Sequence, residues 1–341
     1  MKNKTRITLL LVCMLLFVLP TLAQENEPFW LGADISGTTE LESRGIQLTN
    51  VAGEPRENTQ LMKELGLNAV RLRVWVNPKG GFCNADDVLK MALRAKKQGM
   101  ALMIDFHYSD WWADPGKQFV PKAWEKMSYR QMKKALAGHT SMVLQKLKDN
   151  NIDVKWVQVG NETTDGFLWD MGRASKNMRQ YAGLTEAGYQ SVKKVYPQAT
   201  VIVHLDCGSD PKRYDFIFDG LKKYGAHWDM IGMSIYPYWD IDPKLQTTWQ
   251  GTVAGFVANI KRLYKKYGCE VMIVETGVEA KKPAEGKVIM SSILQAAKEQ
   301  CDGHCKGVFY WAPEAEGAYP LGAFENHRPT EIMDAFKEMA Q

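Results

Sequence analysis

Hydrophobic runs with strand character recur eight times along the chain, at Trp30–Ile35, Asn68–Val76, Met100–Tyr108, Lys155–Glu162, Thr200–Asp206, Asp229–Tyr236, Glu270–Thr276 and Lys306–Ala312. Between them lie segments whose apolar residues follow helical spacing: 86–98, 129–150, 178–196, 214–224, 253–267 and 287–300. Gly99, Gly225 and Gly268 stand just after such segments, and Gly66 follows Leu65 in the same way, where helix C-caps favour glycine. Strand and helix alternating eight times predicts an α/β fold of the (β/α)8 TIM-barrel type rather than an open sheet. No repeat, low-complexity tract or linker interrupts the pattern, so one domain is expected over residues 27–341.

Several strands end on polar residues. In chain order the ends offer Asp34; Arg71, Arg73 and Trp75; Asp105 and His107; Asn161 and Glu162; His204 and Asp206; Ser234 and Tyr236; Glu275; and Trp311. Side chains two apart share a face of a strand. Leu72 and Val74 therefore suit the helix-packed exterior while Arg71 and Arg73 face the barrel axis. Asp105 with His107, and His204 with Asp206, follow the same alternation. In a barrel of this kind the C-terminal face carries the chemistry. Glu162 and Glu275, each closing an apolar run, would face each other there, and two opposed carboxylates are the minimum apparatus for cutting a glycosidic bond. The structural alternatives are a helix cap or salt bridge for either acid, a buried ion pair for Arg71 or Arg73, and a barrel-lining role for His107 or His204.

Residues 1–23 stand outside this pattern. Lys2, Lys4 and Arg6 precede an apolar stretch from Ile7 to Leu19, and Thr21-Leu22-Ala23 suits cleavage, as in a secretory signal peptide. The stretch is shorter than the ~20 apolar residues of a membrane span, so no stable span and an extracytoplasmic location are expected. The formal charge of +4 includes three basic residues and no acid from this segment; removing them leaves 40 basic against 39 acidic residues. No basic block points to nucleic acid. Five cysteines remain (Cys83, Cys207, Cys269, Cys301 and Cys305), too few and too scattered for a disulfide framework, although Cys301 and Cys305 could close one small loop. Asp105 and His107 lack a His-x-His partner, so no catalytic metal is expected. Of the 11 tryptophans, Trp111, Trp112, Trp124, Trp169, Trp239, Trp249 and Trp311 fall after strands, where aromatic rings suit flat sugar faces.

The motifs Gly32-Ala-Asp-Ile-Ser36, Arg71-Leu-Arg-Val-Trp-Val76, 105–118 (DFHYSDWWADPGKQ), Gln158-Val-Gly-Asn-Glu162, His204-Leu-Asp206, 231–237 and Val274-Glu-Thr-Gly277 together resemble glycoside hydrolase family 53, the arabinogalactan endo-β-1,4-galactanases. The resemblance runs through nearly the whole mature chain. It implies a retaining enzyme with Glu162 as general acid/base and Glu275 as nucleophile, and β-1,4-galactan as the polysaccharide partner. Asn161 would bond the sugar 2-hydroxyl, and Tyr236 and Arg73 would hold or polarise Glu275. Asp34, Asp105, His107, Trp112, His204, Asp206 and Trp311 complete the implied sugar contacts. Bacterial relatives often bind calcium through a long loop after the seventh strand. Here Val278–Gly286 is short and lysine-bearing, so no cofactor is required by this reading. A monomer is expected. Two alternatives stay open: a retaining barrel that cuts another β-1,4-glycan such as glucan or mannan, and a non-catalytic carbohydrate-binding barrel.

Overall fold

The computed structural model describes residues 27–240 and 247–341; the expected signal peptide lies outside the described residues. Strands β1 (Trp30–Asp34), β2 (Ala69–Val74), β3 (Ala101–Phe106), β4 (Trp156–Val159), β5 (Thr200–Leu205), β6 (Met230–Ile235), β7 (Glu270–Thr276) and β8 (Cys305–Trp311) form a closed barrel. All eight pairings are parallel, and β8 returns to β1 with Gly307 opposite Trp30 and Trp311 opposite Asp34. The protein is a single (β/α)8 barrel.

Helices between the strands cover the outside: α1 (Thr38–Ser43), α2 (Asn58–Glu64), α3 (Ala85–Lys97), α4 (Tyr129–Asp149), α5 (Ala174–Val195), α6 (Pro211–Lys223), α7 (Pro237–Asp240), α8 (Trp249–Tyr267), α9 (Pro283–Glu299) and α10 (Asp334–Met339). At α3, α4, α6 and α8 a polar side chain caps the helix start. Asn84 accepts from the Asp86 and Asp87 amides at α3, Asp210 from Lys212 at α6, and Thr248 from Gly251 at α8. Ser128 and Gln131 close a reciprocal capping box at α4. Helices α1, α2, α7 and α10 have four to seven residues, too few turns to show a period in sequence.

Alternation along the strands sorts side chains into two cores. Val70, Leu72 and Val74 of β2, Ile104 and Phe106 of β3, and Val203 and Leu205 of β5 pack outward under the helices. Inside the barrel, Ala69, Met103, Trp156, Ile202, Met230, Met272, Val274 and Phe309 make a separate apolar plug. Phe309 occupies the space in front of Gly32, where an added Cβ would lie 2.3 Å from the ring. That close approach accounts for the glycine in the Gly32–Ser36 motif. Phe309→Ala would open a cavity costing about 3–5 kcal/mol. The plug fills the lower barrel, so polar groups are confined to the upper end.

Cys301 and Cys305 are buried free thiols, each directed at a backbone carbonyl (Ala296 and Gly307) rather than at each other. The small disulfide-closed loop allowed by their spacing is not formed.

Candidate active site

Above the apolar plug, Arg71 organises a buried charged layer. Its Nη1 bonds Asp34 at 2.7 Å, and its Nη2 lies 2.8 Å from Asp105, Asn161 and Glu275 alike. Nε donates to Gln158 Oε1 at 2.7 Å. The guanidinium is fully buried, and only this dense pairing offsets the cost of taking so many charges out of water. Burial acts to raise Asp105, but Arg71 and His107 outweigh it and hold that carboxyl down at about 2.

Glu275 owes its position to an irregularity in β7. Met272 and Val274 belong to the inner plug and Val271 and Ile273 to the outer core, so strict alternation would send Glu275 outward. The β6–β7 register slips between Met233 and Ser234, pairing Met233 with Ile273 but Ser234 with Glu275. The bulge turns Glu275 inward. There Oε2 accepts from the Tyr236 hydroxyl at 3.0 Å. Arg71 Nη2 reaches Oε1 as an ion contact, off the line of a hydrogen bond.

Glu162 is not on its strand. Ladder pairing of β4 ends at Val159, Gly160 takes φ 91°, and Glu162 itself sits at φ 45°. A Cβ at Gly160 would meet Thr163 at 2.5 Å, so glycine permits the turn that aims Asn161 and Glu162 into the mouth. The Glu162 carboxylate accepts from Ser234 Oγ at 2.6 Å.

A cavity of about 490 Å³ opens over the two acids. Of the residues expected to meet a sugar, His107, Trp112, Asn161, Asp206, Tyr236 and Trp311 line it with Glu162 and Glu275. Asp34, Arg73, Asp105 and His204 are not among the residues that line it. Asp34 and Asp105 lie under the floor, bound to Arg71. His204 is fully buried, with Gln158 and Glu162 at Nδ1 and Ser234 at Nε2. Arg73 does not touch Glu275; the arginine that does is Arg71. Two residues on, ~6.6 Å further up β2, Arg73 lies against the mutually perpendicular Trp75 and Trp112 rings, 4.6 and 4.0 Å from their centroids, and donates to Cys83 Sγ.

His107 lines the cavity with both ring nitrogens already used. Nε2 meets Asp105 at 2.9 Å, while Nδ1 accepts from the Ala113 amide and Trp75 Nε1. Burial holds it below the usual histidine range, in spite of Asp105, so the ring is neutral. The Asn161 amide bonds Arg71 and the Ala113 carbonyl, which leaves one N–H for the cavity. Asp206 is held by Thr164 and Arg213.

Among the seven tryptophans after strands, Trp112, Trp239 and Trp311 line the cavity. Trp111 is exposed and stacks on Trp75, while Trp124 is in the core. Sequence reasoning left three groups unassigned. Tyr319 packs edge-on against Trp311 with centroids 4.8 Å apart and reaches the Tyr236 hydroxyl, yet it lies in the loop beyond β8, where no strand period marks it. Gln158 was legible as the inward neighbour of Trp156. Ser234 was visible at the end of β6 without a partner to give it meaning.

The two acids sit in different environments. Burial pushes Glu162 well above the usual carboxyl range, and the charges of Glu275 and Asp206 push it further; among the described residues no cation touches it. Burial also raises Glu275, but Arg71 in contact and the Tyr236 hydroxyl favour its charged form. One proton shared by the pair therefore resides on Glu162. Tyr236 is held far above its ordinary value by burial and by Glu275, so it remains a donor.

In the loop after β7 the acids are paired with a lysine: Glu279 is bound by Lys282, which also reaches toward Glu285. Among the described residues no group of three or more His, Cys, Asp or Glu side chains is placed to hold a metal. No helix among them is long and apolar enough to cross a membrane.

A closed parallel barrel whose cavity holds two buried carboxylates of split environment, walled by tryptophans, defines a glycoside hydrolase. Residues 30–326 match the Glycosyl hydrolase family 53 pattern, and the chain belongs to that family. It is 33% identical over 259 residues to an endo-beta-1,4-galactanase of Bacillus subtilis, covering 74% of this chain and 57% of the relative. It is 34% identical over 252 residues to a probable arabinogalactan endo-beta-1,4-galactanase A of Aspergillus fumigatus, covering 72% and 68%. A solved structure of fungal beta-1,4-galactanases superposes with a TM-score of 0.81 at 25% identity, over 90% of this chain and 98% of that one.

Proposed function

We propose that the protein is an exported, monomeric endo-β-1,4-galactanase that cuts galactan and arabinogalactan side chains of pectin with retention of configuration. The observation that carries this reading is the split pair: Glu275 against Arg71 and Tyr236, and Glu162 against Ser234 with no cation among the described residues in contact. Glu275 attacks the anomeric carbon while Glu162 gives its proton to the departing glycosidic oxygen. The galactosyl–Glu275 ester is then opened by water, whose proton returns to Glu162. Trp112 and Trp311, 5.6 Å apart, offer the apolar surfaces for pyranose faces. The relatives named as galactanases support the choice of substrate, and the basic-then-apolar segment 1–23 supports export.

Unbranched β-1,4-galactan, with product sizes and the anomeric proton followed by NMR from the first minutes, tests the reading. Long fragments that appear first and carry the β configuration are expected. Immediate release of monomer, or an initial α-anomer, would overturn it. Glu275→Ala should abolish turnover of every substrate, whereas Glu162→Ala should retain slow cleavage of aryl galactosides with good leaving groups.

A further inference from the structure

Three hydrogen bonds form a ring that begins and ends on Glu162. Its backbone amide donates to His204 Nδ1 at 3.3 Å, His204 Nε2 lies 2.8 Å from Ser234 Oγ, and Ser234 Oγ lies 2.6 Å from Glu162 Oε1. His204 and Ser234 are essentially inaccessible to solvent, so no water competes for these partners.

Proton positions follow from the donors around the ring. Gln158 Oε1 accepts from Arg71, so Gln158 presents its NH2 to His204 Nδ1 at 3.0 Å. Two donors, the Gln158 amide and the Glu162 backbone amide, therefore point at Nδ1. The Asn161 oxygen, 3.1 Å from the same nitrogen, already accepts from Arg71, so the two N–H donors decide the tautomer. Nδ1 must carry the lone pair, and burial with Arg71 nearby keeps the ring neutral. His204 then donates from Nε2 to Ser234, whose own hydrogen has one acceptor left, Glu162 Oε1.

We propose that Ser234, oriented by His204, is a positioning residue that reserves Oε1 of Glu162 as an acceptor and so places the catalytic proton on Oε2. This rests on the assignment of Glu162 as acid/base and adds to it. With Oε1 occupied, the acid offers its proton from one oxygen in one direction, toward the glycosidic oxygen. After transfer the same serine hydrogen stabilises the carboxylate. Among the described residues, the groups that face Glu162 are Glu275 from β7, Asp206 at the end of β5, Arg71 from β2, and the neutral Tyr214, Tyr236 and Tyr319 hydroxyls. Glu275 and Asp206 raise its proton affinity, while Ser234 and the more distant Arg71 lower it.

The test compares kcat/KM on β-1,4-galactan with kcat/KM on 2,4-dinitrophenyl β-galactobioside, across pH, for wild type, Ser234→Ala and Ser234→Thr. Galactan needs the acid, while the dinitrophenolate leaves without it. Ser234→Ala should lower the galactan value about 10- to 100-fold and the aryl value far less, a change in ratio of at least about tenfold. Its alkaline limb on galactan should move to higher pH, because the donor that favours ionised Glu162 is gone. Ser234→Thr should restore both. Equal losses on the two substrates with an unmoved alkaline limb would mean a merely structural serine and would overturn the proposal, as would no loss at all. Glu162→Ala measured alongside separates the two claims. If it too fails to discriminate between leaving groups, the acid/base assignment falls; if it discriminates and Ser234→Ala does not, only the positioning role falls.

Discussion

Arg71 Nη2 lies 2.8 Å from Glu275 Oε1 and at the same time 2.8 Å from Asp105 Oδ2. One nitrogen thus ties the nucleophile of the proposed mechanism to an acid that never reaches the cavity. The barrel floor and the reaction centre share a single cation, so stability and chemistry are coupled there.

Replacing Arg71 with methionine keeps much of the volume but leaves Asp34, Asp105 and Glu275 without their common partner. A loss of about 3–5 kcal/mol in unfolding free energy is expected, because uncompensated buried charges remain. Urea unfolding at neutral pH measures it. A loss under 1 kcal/mol would show that the three carboxyls do not depend on this guanidinium. Activity should disappear with the substitution even below the unfolding temperature.

Tyr236→Phe removes the hydroxyl that favours the charged form of Glu275. The folded-state pKa of Glu275 then rises, and because the nucleophile must be ionised, the acidic limb of kcat/KM moves to higher pH. A loss of about tenfold on the acidic side and a smaller one above the limb is expected from pH–rate profiles. A limb that stays in place or moves to lower pH would contradict the assigned hydrogen bond.

Glu314, in the loop after β8, is a buried acid pushed up to about 8 by burial, with Asp34 adding to it and Arg73 opposing it. Its Oε2 has no hydrogen-bond partner. The unfolded chain ionises near the ordinary value of ~4.3, so between there and about 8 the folded state retains a proton that the unfolded state loses. Stability must therefore fall as pH rises through that window and level off above it. Glu314→Gln removes this dependence. It should gain roughly 1–3 kcal/mol over wild type at pH 8.5 and little at pH 4, as read from urea midpoints. Parallel curves for the two proteins would refute it.

The lysine-neutralised loop after β7 leads to a further expectation. Chelation with EDTA, followed by added calcium, should leave both the melting temperature and the galactan rate unchanged. A melting temperature that drops in EDTA and recovers with calcium would show a site that the donor pattern does not reveal.

Much of this protein could be read from its sequence, and the readable part has a common character. The eight strands, the long helices between them and the inward set Arg71, Asp105 and His204 follow from period-2 and period-3.6 patterns, which report one face of a local element at a time. Lys155–Glu162 and Glu270–Thr276 could be recognised as strand-like runs ending in acids for the same reason. Which polar group meets which across the barrel is not a local property. That Arg71 rather than Arg73 holds Glu275, that His204 stands behind Ser234, and that Asp34 and Asp105 lie below the cavity depend on levels set by eight registers together. Two backbone departures were equally decisive. The slip between Met233 and Ser234 reverses the facing of Glu275, and the turn at Gly160 lifts Glu162 off its strand. Periodicity cannot announce a break in itself, so the chain determined the barrel and its two acids, while only closure of the sheet decided how they are held.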